Sequence, residues 1–321
     1  MWKLLNRLGI MSVTDPNTNP SPYEPSITDV LVVKAMLSKA LALPPEIVNT
    51  ITDLAEYWPH TTAERTYNAS TDVMARGSGM AEDVFMLRSA PLGLRNCSLR
   101  TPGSTPIDRK PLKPQPAGDE FSAEDFQRFV GSPVPMLAQP CRRIVFTIRS
   151  RDQGWGGAPG DSGTYRHSWT WFDVGLERWC KTIPTESDAM EQQTEHQLPS
   201  LMLDDLSTVL PRVEWDQAKQ EHVFKHPLLP CEDTKIQCNV VANDEARTHR
   251  VVWSYDDDIE PERDVEAANR LADEGRGKAT GDGKFVCELK LGDVVTIWAK
   301  ARFPGWKNIV EWVKLEVYFA V

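Results

Sequence analysis

Two copies of one five-residue pattern carry the side chains best suited to binding. The pattern Arg-x-x-Gly-Trp occupies residues 151–155 and recurs at residues 302–306. Glycine frees the backbone to turn sharply, an exposed Trp offers a stacking platform, and Arg supplies bidentate hydrogen bonds. Sugars and planar or anionic groups are bound by this combination. We therefore predict a ligand-binding surface at the two turns, made from Arg151, Trp155, Trp169, Trp171, Arg302, Trp306 and Asn308.

A structural role is the alternative for the tryptophans of these turns. Trp155 and Trp306 would fold back over the ends of the fold, with Arg151 and Arg302 stacked on their rings. The high average burial of large aromatic side chains favours this alternative. Nine of the eleven tryptophans follow residue 150, which indicates a β-rich C-terminal half under either interpretation.

Two other stretches offer catalysis or metal binding, but each lacks a required partner. Residues 160–163 read Gly-Asp-Ser-Gly, which resembles the nucleophile segment of trypsin-like proteases. That serine needs a histidine base, and the only histidine before it, His60, lies outside the Ala-Ala-His-Cys context of the family. The pair His222 and His226 precedes two cysteines, yet the chain has no Cys-x-x-Cys of the kind that structural zinc sites use.

Two charged or glycine-rich segments also fall short of a known site. The acidic run at residues 256–266 has no turning glycine of the kind that a calcium loop needs. The glycines of residues 275–284 do not follow the order of a P-loop, so a mobile loop is the default. We predict no catalytic residue, no metal ligand and no cofactor.

The elements that position the two turns read as β-strands. Residues 143–149 and 165–172 flank the first turn, and residues 294–299 and 310–319 flank the second. We interpret these units as two copies of one strand–turn–strand hairpin in a common body. Several more strands and no βαβ rhythm indicate an antiparallel β-sandwich, jelly-roll or galactose-binding-like in form. Further strands are predicted at residues 235–242, 249–255 and 285–291, and helices at residues 215–226 and 265–271.

The N-terminal part of the chain has helix signals instead. Ser26 and Asp29 form a capping-box pattern ahead of an apolar run, and Pro45 suits the first turn of a second helix. The predicted fold class is α+β, with an N-terminal helical segment followed by the sandwich. The predicted divisions are a disordered tail at residues 1–25, a helical hairpin at 26–60, a linker with a candidate first strand at 61–135, and the sandwich at 136–321.

Composition narrows the classes of partner. The 321 residues carry a formal net charge of −10, which argues against nucleic acid, whose binding rests on basic patches. No run approaches the roughly 18 apolar residues of a membrane span. The N-terminus does not read as a secretory signal, so the six cysteines are expected to be reduced thiols. The predicted location is intracellular, cytoplasmic or nuclear.

Two resemblances add to this interpretation. The run Leu-Pro-Pro-Glu-Ile at residues 43–47, followed by Ile51 and Leu54, resembles the opening of an F-box, although the second half of that motif is not legible. The phrases around both Arg-x-x-Gly-Trp turns, over residues 142–179 and 284–321, look like those of a family of uncharacterised fungal intracellular proteins. That resemblance implies a shared domain and transfers no catalytic residues.

Three functions remain after these observations. The first is a non-catalytic intracellular binding module that recognises a protein partner or a glycan through loops of the sandwich. The second is an F-box-like ubiquitin-ligase substrate adapter, in which the helices bind an adaptor subunit and the sandwich binds the substrate. The third is an enzyme of unknown class, which is disfavoured because no paired acid and base and no nucleophile with its base can be assembled.

Overall fold

The fold is α+β, with an N-terminal helical part followed by an antiparallel β-sandwich, as the sequence predicts. The chain divides into two compact units, Met1–Pro59 and His60–Val321. Most of the predicted tail, residues 1–25, lies outside the described residues. The computed structural model describes residues 23–67, 73–76, 81–94, 110–116, 118–122, 124–126, 139–181 and 205–321.

The N-terminal unit contains the two predicted helices. Helix α1 spans Ile27–Ala40, and the capping box at its start is complete. The Ser26 hydroxyl accepts from the Asp29 N–H at 3.2 Å, and the Asp29 carboxylate accepts from the Ser26 N–H at 2.9 Å. Helix α2 spans Pro45–Leu54 and begins with proline, whose missing N–H leaves no donor unsatisfied there.

The second unit is built from two five-stranded antiparallel sheets. In sheet A, the last strand of the described chain is central, with two strands that share one of its edges and two more strands on the other side. The members of sheet A are β1 (His60–Thr66), β2 (Val73–Arg76), β4 (Cys141–Arg151), β10 (Arg247–Ser254) and β12 (Lys307–Phe319). The order is β1-β12-β4-β10, and β2 pairs with the other end of β12 beside β1.

Sheet B has the penultimate strand at its centre. Its members are β3 (Ala81–Arg88), β5 (Thr170–Trp179), β6 (Leu206–Leu210), β9 (Lys235–Cys238) and β11 (Val294–Arg302). The order is β3-β11-β5, and the free edge of β5 is shared by two short strands. Strand β9 pairs with β5 at residues 171–173, whereas β6 pairs with it at residues 176–179. The edge partner of β5 therefore changes in the middle of the strand.

The core lies between the two sheets, as the alternation along the strands requires. Over Ile144–Ile148 of β4 and Val313–Phe319 of β12, every second residue is a buried aliphatic or aromatic side chain, and the intervening residues are largely polar. Strands β5 and β11 are buried on both faces, because further chain covers the second face of sheet B. The core side chains include Ile144, Phe146, Ile148, Phe172, Val174, Val295, Ile297, Val313 and Leu315.

The two Arg-x-x-Gly-Trp turns join strands of different sheets, so the expectation of two hairpins is wrong. The first turn leads from β4 in sheet A to β5 in sheet B, and the second leads from β11 in sheet B to β12 in sheet A. Alternation predicts which residues share a face of a strand, but it does not predict the neighbouring strand. Both turns belong to one body and both cross the sandwich.

Several local expectations are corrected by the structure. Strands β1, β2 and β3 lie in the range that was predicted as a linker, so the sandwich unit begins at His60 rather than at residue 136. Residues 215–226 are not helical, since they fall in a hairpin of β7 (Arg212–Asp216) and β8 (Glu221–Lys225). The Asp216 carboxylate accepts from two N–H groups of the turn, which favours the hairpin.

The stretch predicted as a strand at residues 285–291 begins instead as a short helix. Helix α4 spans Lys284–Glu288 and follows α3, which spans Val265–Asp273 in the region predicted to be helical. Val286 and Leu289 are buried and lie three residues apart, which is helical spacing; short apolar runs fit both patterns. Among the described residues, no helix combines the length and the apolar character needed to cross a membrane.

Candidate functional site

The first turn is held by a buried carboxylate. Asp152 is fully buried and accepts hydrogen bonds from the N–H groups of Gly154 at 2.7 Å, Ala242 at 2.6 Å and Asn243 at 2.9 Å. Burial raises the pKa of Asp152, and the three N–H donors oppose that rise. These bonds attach the start of the turn to the chain that follows β9.

The two turns touch each other. Trp155 is 62% exposed, and the far edge of its ring lies 3.1 Å from the position that a Cβ atom would occupy on Gly305. The Lys307 N–H donates to the Gln153 side chain at 3.0 Å, which adds a second link between the turns. The two turns therefore lie in one place.

Three further aromatic side chains belong to the two turns or lie beside them. Trp169 is half-buried and stands edge-on to Phe303, with 4.7 Å between the ring centroids. Its carbonyl accepts from the Arg302 N–H at 2.9 Å, so it lies beside the second turn. Trp306 is half-buried as well. We call Arg151, Trp155, Trp169, Phe303 and Trp306 the turn surface.

Three of the predicted ligand-binding residues lie in the interior instead. Arg302 is fully buried, and all five of its N–H groups donate to protein oxygens, including the Asp83 carboxylate at 2.7 Å. Trp171 is buried beneath the Arg302 guanidinium. Asn308 is buried and donates to the Trp171 carbonyl at 2.9 Å. These side chains have no surface to offer a ligand at the turns.

The face of sheet B that points away from sheet A carries a cluster of charged side chains, which the sequence patterns do not predict. Lys300 is fully buried, and its ammonium donates to Asp83 at 2.9 Å and to the ring of His226. Asp173, on the neighbouring strand, has a carboxylate oxygen 3.9 Å from the Lys300 nitrogen. We call Asp83, Asp173, His226, Lys300 and Arg302 the ionic cluster. The sequence signal for this cluster is Lys300, which lies inside the apolar run of β11. A buried ammonium without a partner costs free energy, so such a lysine predicts a charged or polar partner nearby.

Burial alters the protonation of this cluster. Burial raises the pKa of Asp173 to about 6, against the opposing effect of Lys300. The pKa of His226 is lowered to about 3 by burial and by the Lys300 charge, so the ring is neutral at pH 7 and accepts from the ammonium. Burial also lowers the pKa of Lys300. Burial alone would raise the pKa of Asp83, but the surrounding positive charges bring it below its usual range.

A cavity of about 670 Å³ opens beside the ionic cluster. The cavity lies beside the middle of β5, where the neighbouring strand changes from β9 to β6. It is bounded by the end of β6 and by Thr234, whose carbonyl accepts a hydrogen bond from the Val174 N–H at 2.9 Å. Apolar walls are formed by Trp253, Phe285 and Trp298. The charged side chains of the wall are Asp173, Glu214, Asp233, Asp282 and Glu288 on the acidic side and Arg212, Lys225, Lys284 and Lys300 on the basic side.

One donor in this wall is unsatisfied. The indole N–H of Trp253 is buried and has no hydrogen-bond partner among the residues that the structure describes. Its ring packs between Phe146 and Phe285, at centroid distances of 5.0 and 5.4 Å. Buried donors are nearly always paired, so this N–H indicates a bound oxygen atom from water or a ligand.

The other motif-like stretches do not form sites. Ser162 makes no side-chain hydrogen bond to a described residue, and His167 pairs with Asp161 at 3.0 Å instead. His222 stands edge-on to Trp215, with 5.0 Å between the ring centroids. In the described ranges, no three His, Cys, Asp or Glu side chains are placed to hold a metal ion. The glycines of residues 275–284 are mostly buried, so this segment is packed, and part of it lines the cavity.

The cysteines show no pairing. Cys141, Cys180, Cys231, Cys238 and Cys287 are free thiols, and Cys97 lies outside the described residues. The resemblances to an F-box opening and to fungal intracellular proteins stay predictions. Comparisons with protein-family models, curated proteins and solved structures found no match to this chain. A function is therefore argued from the contacts of the turn surface and of the cavity.

Proposed function

We propose that this protein is a non-catalytic intracellular binding module that recognises a glycan through the turn surface. The observation that carries the proposal is the position of Trp155, whose ring is largely exposed while its turn is fixed by Asp152 and by contact with Gly305. A rigid aromatic platform loses little conformational freedom on binding. The C–H face of a sugar ring is the partner that such a platform suits.

Arg151, four residues before Trp155 at the start of the same turn, is available as well. Arg151 is half-exposed and makes no side-chain hydrogen bond or ion pair to a described residue. Its guanidinium can therefore donate to the hydroxyl oxygens of a sugar. The formal net charge of −10 disfavours strongly anionic glycans, so a neutral glycan is the proposed ligand.

The test is a glycan array probed with the full chain, followed by calorimetric titration of the glycans that bind. We expect Trp155→Ala to weaken binding by at least about tenfold, because it removes the platform. Trp215→Ala is the matched control, since Trp215 is 51% exposed on the β7–β8 hairpin, outside the turn surface. The proposal fails if no glycan binds, or if Trp155→Ala binds like the wild type.

A substrate adapter of the ubiquitin-ligase type is the second candidate, and one observation favours it. The two N-terminal helices leave several large apolar side chains exposed to solvent, which is typical of a docking surface. The exposed residues are Leu31, Val32, Met36, Leu41, Ile47 and Leu54. Ile47 and Leu54 also belong to the stretch that resembles an F-box.

This candidate has its own test. If it holds, an adaptor subunit co-purifies with the full chain from cell extract and is lost in Leu54→Asp. Leu54 is 82% exposed, so its replacement leaves the folded helix pair intact. Leu229→Asp, at a 54% exposed position of the sandwich unit, is the control and retains the adaptor. An adaptor that stays bound to Leu54→Asp, or that never co-purifies, would rule this candidate out.

A further inference from the structure

The cavity contains a pair of polar groups with a gap between them. The Lys300 ammonium has three N–H donors, of which two are directed to Asp83 and His226. The third has no acceptor within hydrogen-bond distance among the described residues, since the nearer Asp173 oxygen, Oδ2, is 3.9 Å away. The other oxygen of Asp173 already accepts from Trp171 at 2.8 Å.

A hydroxyl group satisfies both members of this pair at once. Its hydrogen is donated to Asp173 Oδ2, and its oxygen accepts from Lys300 Nζ. A ligand that is only an acceptor would leave the carboxylate unpaired, and one that is only a donor would leave the ammonium unpaired. The geometry therefore selects hydroxyl groups over carboxylates and amines.

The Trp253 indole gives an independent indication of an oxygen-bearing group in the cavity. Its buried N–H lacks a described partner, and the residue lines the same cavity. This donor calls for an oxygen atom on the ligand at a second position. The rings of Trp253, Phe285 and Trp298 offer apolar faces for the C–H surface of the same molecule.

Charge and size restrict the ligand further. The wall contains five carboxylates and four basic side chains, so its formal net charge is only one negative. This balance gives no strong field to attract either an anion or a cation. The volume of about 670 Å³ lies within the range of small-molecule sites.

We propose that this cavity binds a neutral polyhydroxylated small molecule of monosaccharide size, one hydroxyl of which bridges Lys300 Nζ and Asp173 Oδ2. A second ligand oxygen accepts from the Trp253 indole, and the carbon face of the ligand packs against the aromatic wall. This site is separate from the turn surface and does not depend on the function proposed there.

The experiment is calorimetric titration of the full chain with D-glucose, D-galactose, D-mannose, D-xylose and myo-inositol, with gluconate and glucosamine as charged analogues. At least one neutral compound is expected to bind. Asp173→Asn is expected to weaken its binding at least about tenfold, and Trp253→Phe severalfold, because each removes one hydrogen bond and little volume. Glu221→Gln, at an exposed position of β8 outside the cavity wall, is the matched control with unchanged binding.

Each variant is first checked for cooperative unfolding in urea, so that a loss of binding is measured on folded protein. The proposal is overturned if none of the five neutral compounds binds more tightly than about 10 mM, or if a charged analogue binds better than its neutral parent. It is also overturned if Asp173→Asn and Trp253→Phe bind as the wild type does. Trp155→Ala is expected to leave this binding unchanged, which separates the cavity from the turn surface.

Discussion

The Trp155 ring rests on Gly305, so the two copies of the Arg-x-x-Gly-Trp pattern contact each other across the sandwich. The glycine of one copy provides the space that the tryptophan of the other copy occupies. The first turn leads from sheet A to sheet B, and the second leads from sheet B back to sheet A. The contact therefore connects two crossings that lie about 150 residues apart in the chain.

Gly305→Ala is expected to destabilise the protein more than Gly160→Ala, by about 1 kcal/mol. Both glycines have positive φ, +96° and +90°, so the backbone strain of an alanine is similar at the two positions. Only at Gly305 does the added methyl group meet the Trp155 ring, whereas nothing lies within 4 Å of a Cβ at Gly160. Urea unfolding measures the difference, which is expected to vanish in a Trp155→Ala background. A difference that persists there would show that the contact is not its cause.

Arg302→Met is expected to lower the free energy of unfolding much more than Arg151→Met, although the two arginines occupy the same position in the repeated pattern. Arg302→Met removes five hydrogen bonds from a buried site and leaves Asp83 with less compensation, at a cost of about 3–5 kcal/mol. Arg151→Met is expected to stay within about 0.5 kcal/mol of the wild type. Chemical denaturation gives both values, and equal costs would contradict the buried position of Arg302.

Asp173 is expected to make the free energy of unfolding fall as the pH rises from about 4 to about 6. Burial raises its pKa to about 6 from 3.8, so in this range the folded protein binds more protons than the unfolded chain. The stability of the wild type relative to Asp173→Asn should therefore decrease by roughly 1–3 kcal/mol across the window. His226 and His249, whose lowered pKa values act in the opposite direction, are present in both proteins. Urea titrations at several pH values provide the measurement, and a constant difference would contradict it.

Arg88 and Glu177 are expected to be strongly coupled. Two hydrogen bonds of 2.8 and 2.9 Å join them on the second face of sheet B, where both side chains are buried. Arg88→Met alone should cost about 3–5 kcal/mol, because it leaves the Glu177 carboxylate unpaired. Glu177→Met in addition should restore part of that loss. A double-mutant cycle measures the coupling, and additive costs would refute it.

The sequence predicts the elements of this fold better than their partners. Alternation identifies β4, β11 and β12, and the Ser26–Asp29 capping box identifies the start of α1. The alternation does not reveal that the strands on either side of each turn belong to different sheets, because the pairing of a strand depends on residues that are distant in the sequence. Residues 215–226 fit a helix with Asp216, Lys219 and Gln220 outward, yet the Asp216 side chain stabilises a hairpin turn there.

The candidate site shows the same limit. Arg151 and Arg302 have the same local pattern, but only Arg302 meets Asp83 and the carbonyls after β8, which bury it. The partner of Lys300 lies more than two hundred residues away in sequence, so no local rule pairs Asp83 with it. The average burial of large aromatic side chains favours a packed Trp155, yet its ring is 62% exposed. The cavity was not predictable from the sequence, since it depends on where β5 exchanges β9 for β6.

The positions of β11 and β12 have a consequence for the synthesis of the protein. Each is the central strand of its sheet, and both come from residues 294–319. While the ribosome still holds these residues, the strands made earlier lack the neighbours that order them, and neither sheet can close. The nascent sandwich must therefore keep apolar strand edges exposed until residues 294–319 have left the ribosome, which is the condition under which chaperones are needed most.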